Sequence, residues 1–322
     1  VSDGLAQFVE EQPGQLTLWA QAPVLELQLA PAEPGATDTW QIEVQNAMPG
    51  GVLEVREGSA QVELVDQPLP TRQVWRVTVP DQQDSRLRFA PPDAETSETW
   101  RFAVLSDVQE AIPEASDIFE LMNRDDTLRF VVSTGDITDI GSSEELDRFK
   151  RELEVLDIPF YSTVGNHEEG SPDEIWTRHL GRANFHFEFR DTHFSFVDTA
   201  SATVDPIVYG WLDDWLDAAR DHVHVFVSHI APIDPVGVRN GSFRSRPEAA
   251  KLQQKLAEGR VDLALHGHVH SYYLFERAGV PSYISGGGGA IPERFDGIGR
   301  HFLIVDVTPD DGIDSVGVVR VD

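Results

Sequence analysis

The sequence predicts an α/β fold with its helices outside the sheets, preceded by a small all-β sandwich, and three observations carry that expectation. First, short apolar segments fill the opening hundred residues, at 16–19, 25–29, 40–44, 52–55, 61–64, 74–79 and 86–89. Several alternate, and Pro, Gly or Asp separate them at a spacing of roughly ten residues, the pattern of a β-sandwich. Second, Ala90-Pro91-Pro92-Asp93-Ala94-Glu95-Thr96-Ser97-Glu98 reads as a linker, two prolines followed by polar residues. Third, strands and helices alternate from Thr99 onward, which implies sheets covered by helices. The expected units are therefore an accessory sandwich, immunoglobulin-like, over 1–98 and an α/β domain over 99–322.

The second unit reads in order as follows. Residues 101–106 form an apolar strand, 114–123 have helical spacing, and 129–134 form a strand again. The helix at 142–156 opens with Ser142-Ser143-Glu144-Glu145, a capping pattern. A strand at 160–164 and a helix at 173–180 follow. The segments 185–189 and 193–198 alternate and read as a hairpin. Helices are expected at 210–220 and 247–257, and strands at 223–228, 261–265, 283–285, 302–307 and 315–319. Trp176, Trp211 and Trp215 sit on helical faces and read as core.

Composition narrows the function classes. The 322 residues carry 55 acidic against 25 basic side chains, a formal net charge of −30. That balance argues against broad, sequence-independent nucleic-acid binding and against docking on an anionic membrane. It also repels anionic substrates at long range, so a phosphate-handling site here needs local positive charge, for which bound metal ions are the obvious source. There is no Cys, hence no disulfide, thiolate site or Cys nucleophile. No apolar run reaches membrane-spanning length. The acidity, the missing Cys and a start without Met or signal-peptide pattern fit an extracellular or periplasmic setting and a processed or trimmed first residue. Nothing in the sequence fixes an oligomeric state.

The informative feature is what stands at the strand ends. Five apolar strands run into polar groups: Ser106-Asp107, Gly135-Asp136, Gly165-Asn166-His167-Glu168, Ser228-His229 and His266-Gly267-His268-Val269-His270. In open α/β sheets, sites form beyond the carboxyl ends of strands, so these clusters can converge. The donors are hard oxygen and imidazole nitrogen, suited to Mn, Fe, Zn, Mg or Ca. His268 and His270, one residue apart, point to opposite sides of an extended segment and so can serve two ions. A carboxylate can bridge such ions through its two oxygens. Singly, each motif has an ordinary alternative: an Asx-turn for the aspartates, a turn for Gly165-Asn166, a satisfied buried histidine for His229. Their coincidence at five strand ends is what counts.

The set Gly135-Asp136-Ile137-Thr138-Asp139, Gly165-Asn166-His167-Glu168, Ser228-His229 and Gly267-His268-Val269-His270 resembles the calcineurin-like metallophosphoesterases, over about 100–307. The resemblance implies a four-layer sandwich, two β-sheets flanked by helices, with two divalent metal ions. It implies that Asp136 bridges the ions, that Asp107 and His270 complete one site, and that Asn166, His229 and His268 complete the other. His167 would assist the leaving group, oriented by Asp139, while a metal-bridging hydroxide attacks phosphorus. One position departs from the pattern: where the first motif usually reads Asp-x-His, this chain has Asp107-Val108-Gln109. Gln109 offers a carbonyl oxygen, so the first site should be harder and weaker.

Other residues weigh less. The loop 230–245 carries Arg239 and Arg244, candidates with Asn166 for binding substrate phosphate, against the alternative of a solvated loop. His179, His186, His193, His222, His224 and His301 read as structural or surface positions, and His266 as structural. Gly286–Gly289 lacks a following Lys-Ser/Thr and reads as a close-approach loop beneath the site rather than a phosphate loop. The expected activity is hydrolysis of a small phosphomonoester or phosphodiester. The rival is a protein that keeps this fold and binding site with weakened catalysis, for which Gln109 is the best support.

Overall fold

The computed structural model describes residues 5–30, 37–80, 84–237, 241–294 and 298–321. The first eight strands are β1 (Ala6–Gln12), β2 (Gln15–Ala20), β3 (Leu25–Leu29), β4 (Asp38–Gln45), β5 (Val52–Glu57), β6 (Gln61–Leu69), β7 (Arg72–Val79) and β8 (Ser85–Ala90). They form two sheets, ordered β1-β2-β4-β7-β6 and β3-β8-β5. Alternation sets their inner faces: Leu18, Leu25, Leu27, Ile42, Val44, Val77, Leu87 and Phe89 are all buried. β1 escapes sequence reading because it is a polar, exposed edge strand with a register shift between Phe8 and Glu10.

The rest of the chain builds β9 (Trp100–Val104), α1 (Ala115–Met122), β10 (Leu128–Ser133), α2 (Ser143–Glu152), β11 (Phe160–Ser162), α3 (Asp173–Leu180), β12 (Phe185–Phe189), β13 (Thr192–Val197) and α4 (Pro206–Ala218). It continues with β14 (Val223–Ser228), α5 (Arg246–Glu258), β15 (Leu263–His266), β16 (Tyr272–Arg277), β17 (Val280–Ser285), β18 (His301–Thr308) and β19 (Gly312–Arg320). One sheet has the order β11-β10-β9-β18-β19, the other β12-β13-β14-β15-β17-β16. Their inner faces meet in an aromatic layer of Trp100, Phe102, Phe130, Phe187, Phe194 and Phe196. Helices α1–α3 cover the outer face of the first sheet through Ile118, Phe119, Leu146, Phe149 and Trp176. Helices α4 and α5 cover the second through Leu212, Leu216, Leu252 and Leu256. The result is the expected four-layer α/β/β/α sandwich behind an all-β region. The Ser142 capping box is present, both partners made, so α2 starts where its sequence signals. One expectation needs correction. Trp211 is 43% exposed rather than core, because it lies on the solvent side of α4. β16 went unread because its side chains are only partly buried and it pairs antiparallel at the sheet edge.

The two regions are keyed together. Asn46 accepts from the Phe160 amide at 2.8 Å and donates to the Phe160 carbonyl at 2.9 Å, which ties the sandwich to the edge strand β11. Gln21 makes the same two-way bond with the backbone of Arg182, at 2.9 and 3.0 Å. Segment 91–98 is no free spacer, since Asp93 is held by Arg129 and Arg190. The buried apolar cluster of the sandwich runs into the aromatic layer without a break.

The outer face of β13 and β14 buries a histidine, His224, whose Nε2 meets Ser195 Oγ at 2.8 Å. Burial, helped by His186 and His193, pulls its pKa down to about 3. The unfolded chain therefore takes up a proton below about pH 6.5 that the folded chain refuses, so stability is full above that pH and falls below it. His224 alone should contribute a loss of about 1.4 kcal/mol per pH unit below pH 6.5. Unfolding measured between pH 7 and 5 in wild type and His224→Asn should show a shallower slope in the variant; equal slopes would remove this account.

Candidate metal centre

The strand ends converge as their positions require. β9, β10, β14 and β15 deliver Asp107, Asp136, His229 and the segment 267–270 to one end of the two sheets. Asp107, Gln109, Asp136 and His268 all have positive φ, between 49° and 68°. A left-handed backbone at four non-glycine residues is strain that surrounding structure must hold. Two glycines make the close approach possible. Gly135 has φ +103°, and a Cβ there would lie 2.4 Å from the Gly165 nitrogen; a Cβ on Gly165 would lie 2.1 Å from Asp136 Oδ1.

Asp136 is the centre of the arrangement and is buried. Its Oδ1 accepts from the His167 amide at 2.9 Å. Its Oδ2 lies 3.2 Å from His229 Nε2 and 3.2 Å from Gln109 Nε2. One oxygen, not two as the sequence suggests, thus faces both donor sets. On one side, Asn166 Oδ1 lies 3.0 Å from His229 Nε2, and donor atoms of Asp136, His229 and His268 lie within 4.8 Å of one another. On the other side, His270 Nε2 lies 3.5 Å from Asp107 Oδ1 and 3.2 Å from Gln109 Nε2. His268 and His270 do fall to different sides. They do so through tight turns, Val269 N to Gly267 O and Ser271 N to Val269 O, rather than along an extended segment.

Backbone carbonyls orient the imidazoles. His229 Nδ1 is 2.9 Å from the Thr134 carbonyl and His270 Nδ1 is 2.7 Å from that of Ile291. A donating Nδ1–H leaves the Nε2 lone pair of each ring pointing into the cluster, which is how metal-ligating histidines are held. Electrostatics agree. Burial and the charge of Asp136 raise the pKa of Asp107. Burial alone would lower His229, but Asp136, Asp107 and Glu168 hold it up to about 9. Protonated His229 offsets only one of these buried carboxylates, and a divalent cation taking that proton's place would offset both; oxygen and imidazole donors within 4.8 Å of one another fit such an ion. The Asn166, His229 and His268 side fits fully. On the other side Gln109 presents its amino group, hydrogen-bonding Asp136 Oδ2 and His270 Nε2; half a turn of the amide would present Oε1 instead.

The remaining expected residues lie as follows. His167 is partly exposed, and its Nδ1 is 2.6 Å from the Asp139 carbonyl and 3.5 Å from the Asp139 carboxylate. The backbone of Asp139 therefore makes the closer contact, not its side chain. Arg244 is exposed and is not drawn into the donor cluster; Arg239 lies outside the described residues. His266 is buried against Ser228 Oγ at 2.9 Å, consistent with a structural role. Gly286–Gly289 runs beneath Asp107, with Gly288 donating to the Ser106 carbonyl at 2.8 Å. Sequence reasoning gave no role to Glu168, which follows the Asn-His pair. Its buried carboxylate accepts from the amides of Asp136, Thr138 and Gly165 and from Thr138 Oγ1, at 2.7–3.0 Å. It thereby ties the Asp136 loop to the Asn166 loop. Burial and Asp136 push its pKa up to about 7 despite those four donors.

A sandwich of two sheets with oxygen and imidazole donors gathered at its strand ends defines a metal-dependent phosphoesterase scaffold. The chain belongs to the calcineurin-like phosphoesterases, the family whose model matches residues 101–272. A probable glycerophosphodiester phosphodiesterase of Arcobacter nitrofigilis is 53% identical over 38 residues, 12% of this chain and 14% of that protein. A 3′,5′-cyclic-nucleotide phosphodiesterase of a Nostoc species is 27% identical over 184 residues, 53% of this chain and 68% of that protein. The first of these matches is thus a small fraction of its relative's length. Among solved structures, a purple acid phosphatase from yellow lupin seeds aligns with a TM-score of 0.60 at 13% identity, covering 93% of this chain and 72% of that one. At that identity the likeness is one of fold, and it extends across both regions.

Two outcomes test the centre. Gln109→His should raise Zn²⁺ or Fe²⁺ affinity of the first site by about tenfold, ~1.4 kcal/mol, because imidazole replaces an amide; equal metal affinity and stoichiometry in both proteins would refute it. Glu168→Ala should strand four donors and lower unfolding stability on the order of 3–5 kcal/mol with weaker metal binding, read by denaturant titration and metal dialysis.

Proposed function

We propose that this protein hydrolyses a small phosphate ester at a centre of two divalent metal ions, held by Asp107, Gln109, Asp136 and His270 on one side and Asp136, Asn166, His229 and His268 on the other. The single observation that carries this is Asp136 Oδ2, which lies 3.2 Å from donors of both sets. When bound, such ions supply Lewis acidity toward the phosphoryl oxygens and lower the pKa of a water nucleophile. The chain's own part is positional. Asp136, His229 and Asp107 are held by backbone partners, so little reorganisation is needed on binding. His167 stands at the rim with Nδ1 toward the Asp139 carbonyl, which leaves Nε2 directed elsewhere for proton delivery to a departing alkoxide.

The chain's charge of −30 supports a small diffusible substrate over a polynucleotide. The diesterase names of the two curated relatives favour a diester over a monoester. A specific observation favours the rival as well: the Gln109 amino group occupies the place where a first-site donor is needed. Hydrolysis of p-nitrophenyl phosphate and its bis ester, measured after chelation and re-addition of Mn²⁺, Zn²⁺, Mg²⁺ or Ca²⁺, decides between them. The bis ester should turn over faster, and His167→Ala should lower kcat by about 10²–10⁴ with metal content unchanged. No turnover of either ester with metal bound would establish the binding protein instead.

A further inference from the structure

Away from the metal centre, the first sheet ends in β19, an edge strand whose outer side no other described strand covers. Register decides which of its backbone groups are open. Val321 donates its amide to the Arg300 carbonyl at 3.0 Å, and the facing pairs then run from Arg320 with His301 to Ser315 with Asp306. Bonded and non-bonded pairs alternate in an antiparallel ladder, so Ser315, Gly317 and Val319 bond to β18 as Val321 does. The His301 amide agrees, since it points away from β19, to the Gly287 carbonyl at 2.9 Å. Val316, Val318 and Arg320 therefore turn their N–H and C=O groups outward. Exposed edges are usually blunted by bulges, charges or proline. β1 has a register shift and carries Glu10 and Glu11, and β6 has two shifts and carries Glu63, Asp66 and Pro68. On β19 the shift falls at the start, where Asp314 is the extra residue. From Ser315 to Val319 the strand is regular and uncharged, and Val318 is 39% exposed.

We propose that β19 is a dimerisation edge whose partner is a second copy of this chain, paired antiparallel about a two-fold axis at Gly317. In a symmetric pair, residue i meets j and j meets i. Centred on Gly317, Val316 lies opposite Val318 of the partner subunit, and Asp314 lies opposite Arg320 of the partner subunit. Val316 and Val318 are the positions with outward backbone groups, so each exchanges both bonds with its opposite. The glycine falls on the non-bonded pair between them, where Cα atoms approach to about 4.5 Å. Val316 and Val318 share a face, so the two copies join four valines into one apolar patch. An Asp–Arg pair closes each end. Both charges are available: Asp314 is exposed with the Thr308 hydroxyl on its Oδ2 at 2.6 Å, and Arg320 is exposed with no ion pair among the described residues. Moving the centre by one residue in either direction separates Asp314 from Arg320, so charge selects the register. The pairing makes one continuous sheet of two five-stranded ones. A single strand pair is a small interface of the weak class. Two chains at −30 also repel at long range, so association should tighten as salt screens them.

The test is sedimentation equilibrium of the full chain, from about 1 μM to 1 mM, at physiological and at high salt. Wild type should show a reversible monomer–dimer equilibrium that is tighter at high salt. Arg320→Asp and Asp314→Arg each set like charges opposite one another and should raise the dimer Kd about tenfold. The double exchange, Asp314→Arg with Arg320→Asp, should restore it. Val318→Pro removes an outward N–H without touching the bonds to β18, so it should abolish the dimer at an unchanged Tm. A chain that stays monomeric throughout overturns the proposal. So does a dimer that all three single substitutions leave unchanged, or one that the double exchange fails to restore.

Discussion

The structure depends on one buried carboxylate. Asp136 is removed from water with Asp107 close by, and two aspartates in such a setting are tolerable only beside positive charge. Imidazoles supply part of it, and a divalent cation would supply the remainder. Everything near Asp136 is arranged to hold its oxygens still: the His167 amide on Oδ1, the left-handed backbone of its own residue, and two glycines that let the Asn166 loop approach. Glu168 stands behind it, joining both loops through four hydrogen bonds. A strained turn persists when its neighbours over-determine it, and this one has neighbours from β10 and from the segment following β11.

Two scales of charge act in opposite senses. The molecule as a whole is strongly acidic, which keeps an anionic substrate at a distance and favours solubility. At the strand ends the same sign of charge becomes the means of attracting cations, which reverse the local field. On the proposed function, a phosphate ester would meet attraction only at short range, where bound metal ions rather than arginines would set the field. No described arginine joins the donor cluster, and this matches a chain whose basic side chains are spent on ion pairs such as Arg190 with Asp93. Those pairs help seat the β-sandwich on the phosphoesterase region, along with Asn46 and Gln21. The seam is continuous with the main core, so the two regions behave mechanically as neighbours in contact rather than beads on a string.

Much of the fold could be read directly because local patterns and tertiary context agree. Alternation marked β12 and β13, the Ser142–Glu145 cap marked α2, and the polar strand ends marked the site. Where they diverge, reading failed. β1 and β16 are edge strands with little buried surface, so no apolar period announces them. Glu168 looks like a solvated charge until the fold wraps four donors around it. Trp211 has the helical spacing of a core residue, but its face of α4 meets water.

By itself the sequence determined the inventory: which oxygen and nitrogen donors stand at strand ends, that Gln109 follows Asp107-Val108, and that acidic side chains outnumber basic ones 55 to 25. Those are matters of residue type and spacing along the chain. The tertiary structure alone decided contact. It put a single oxygen of Asp136 against both donor sets and turned the Gln109 amino group toward His270. It drew His268 and His270 apart by tight turns, and it set β19 at the edge of its sheet. The reason is that strand register and loop closure join residues distant in sequence, and no local pattern encodes which atom of a side chain faces its partner once they meet.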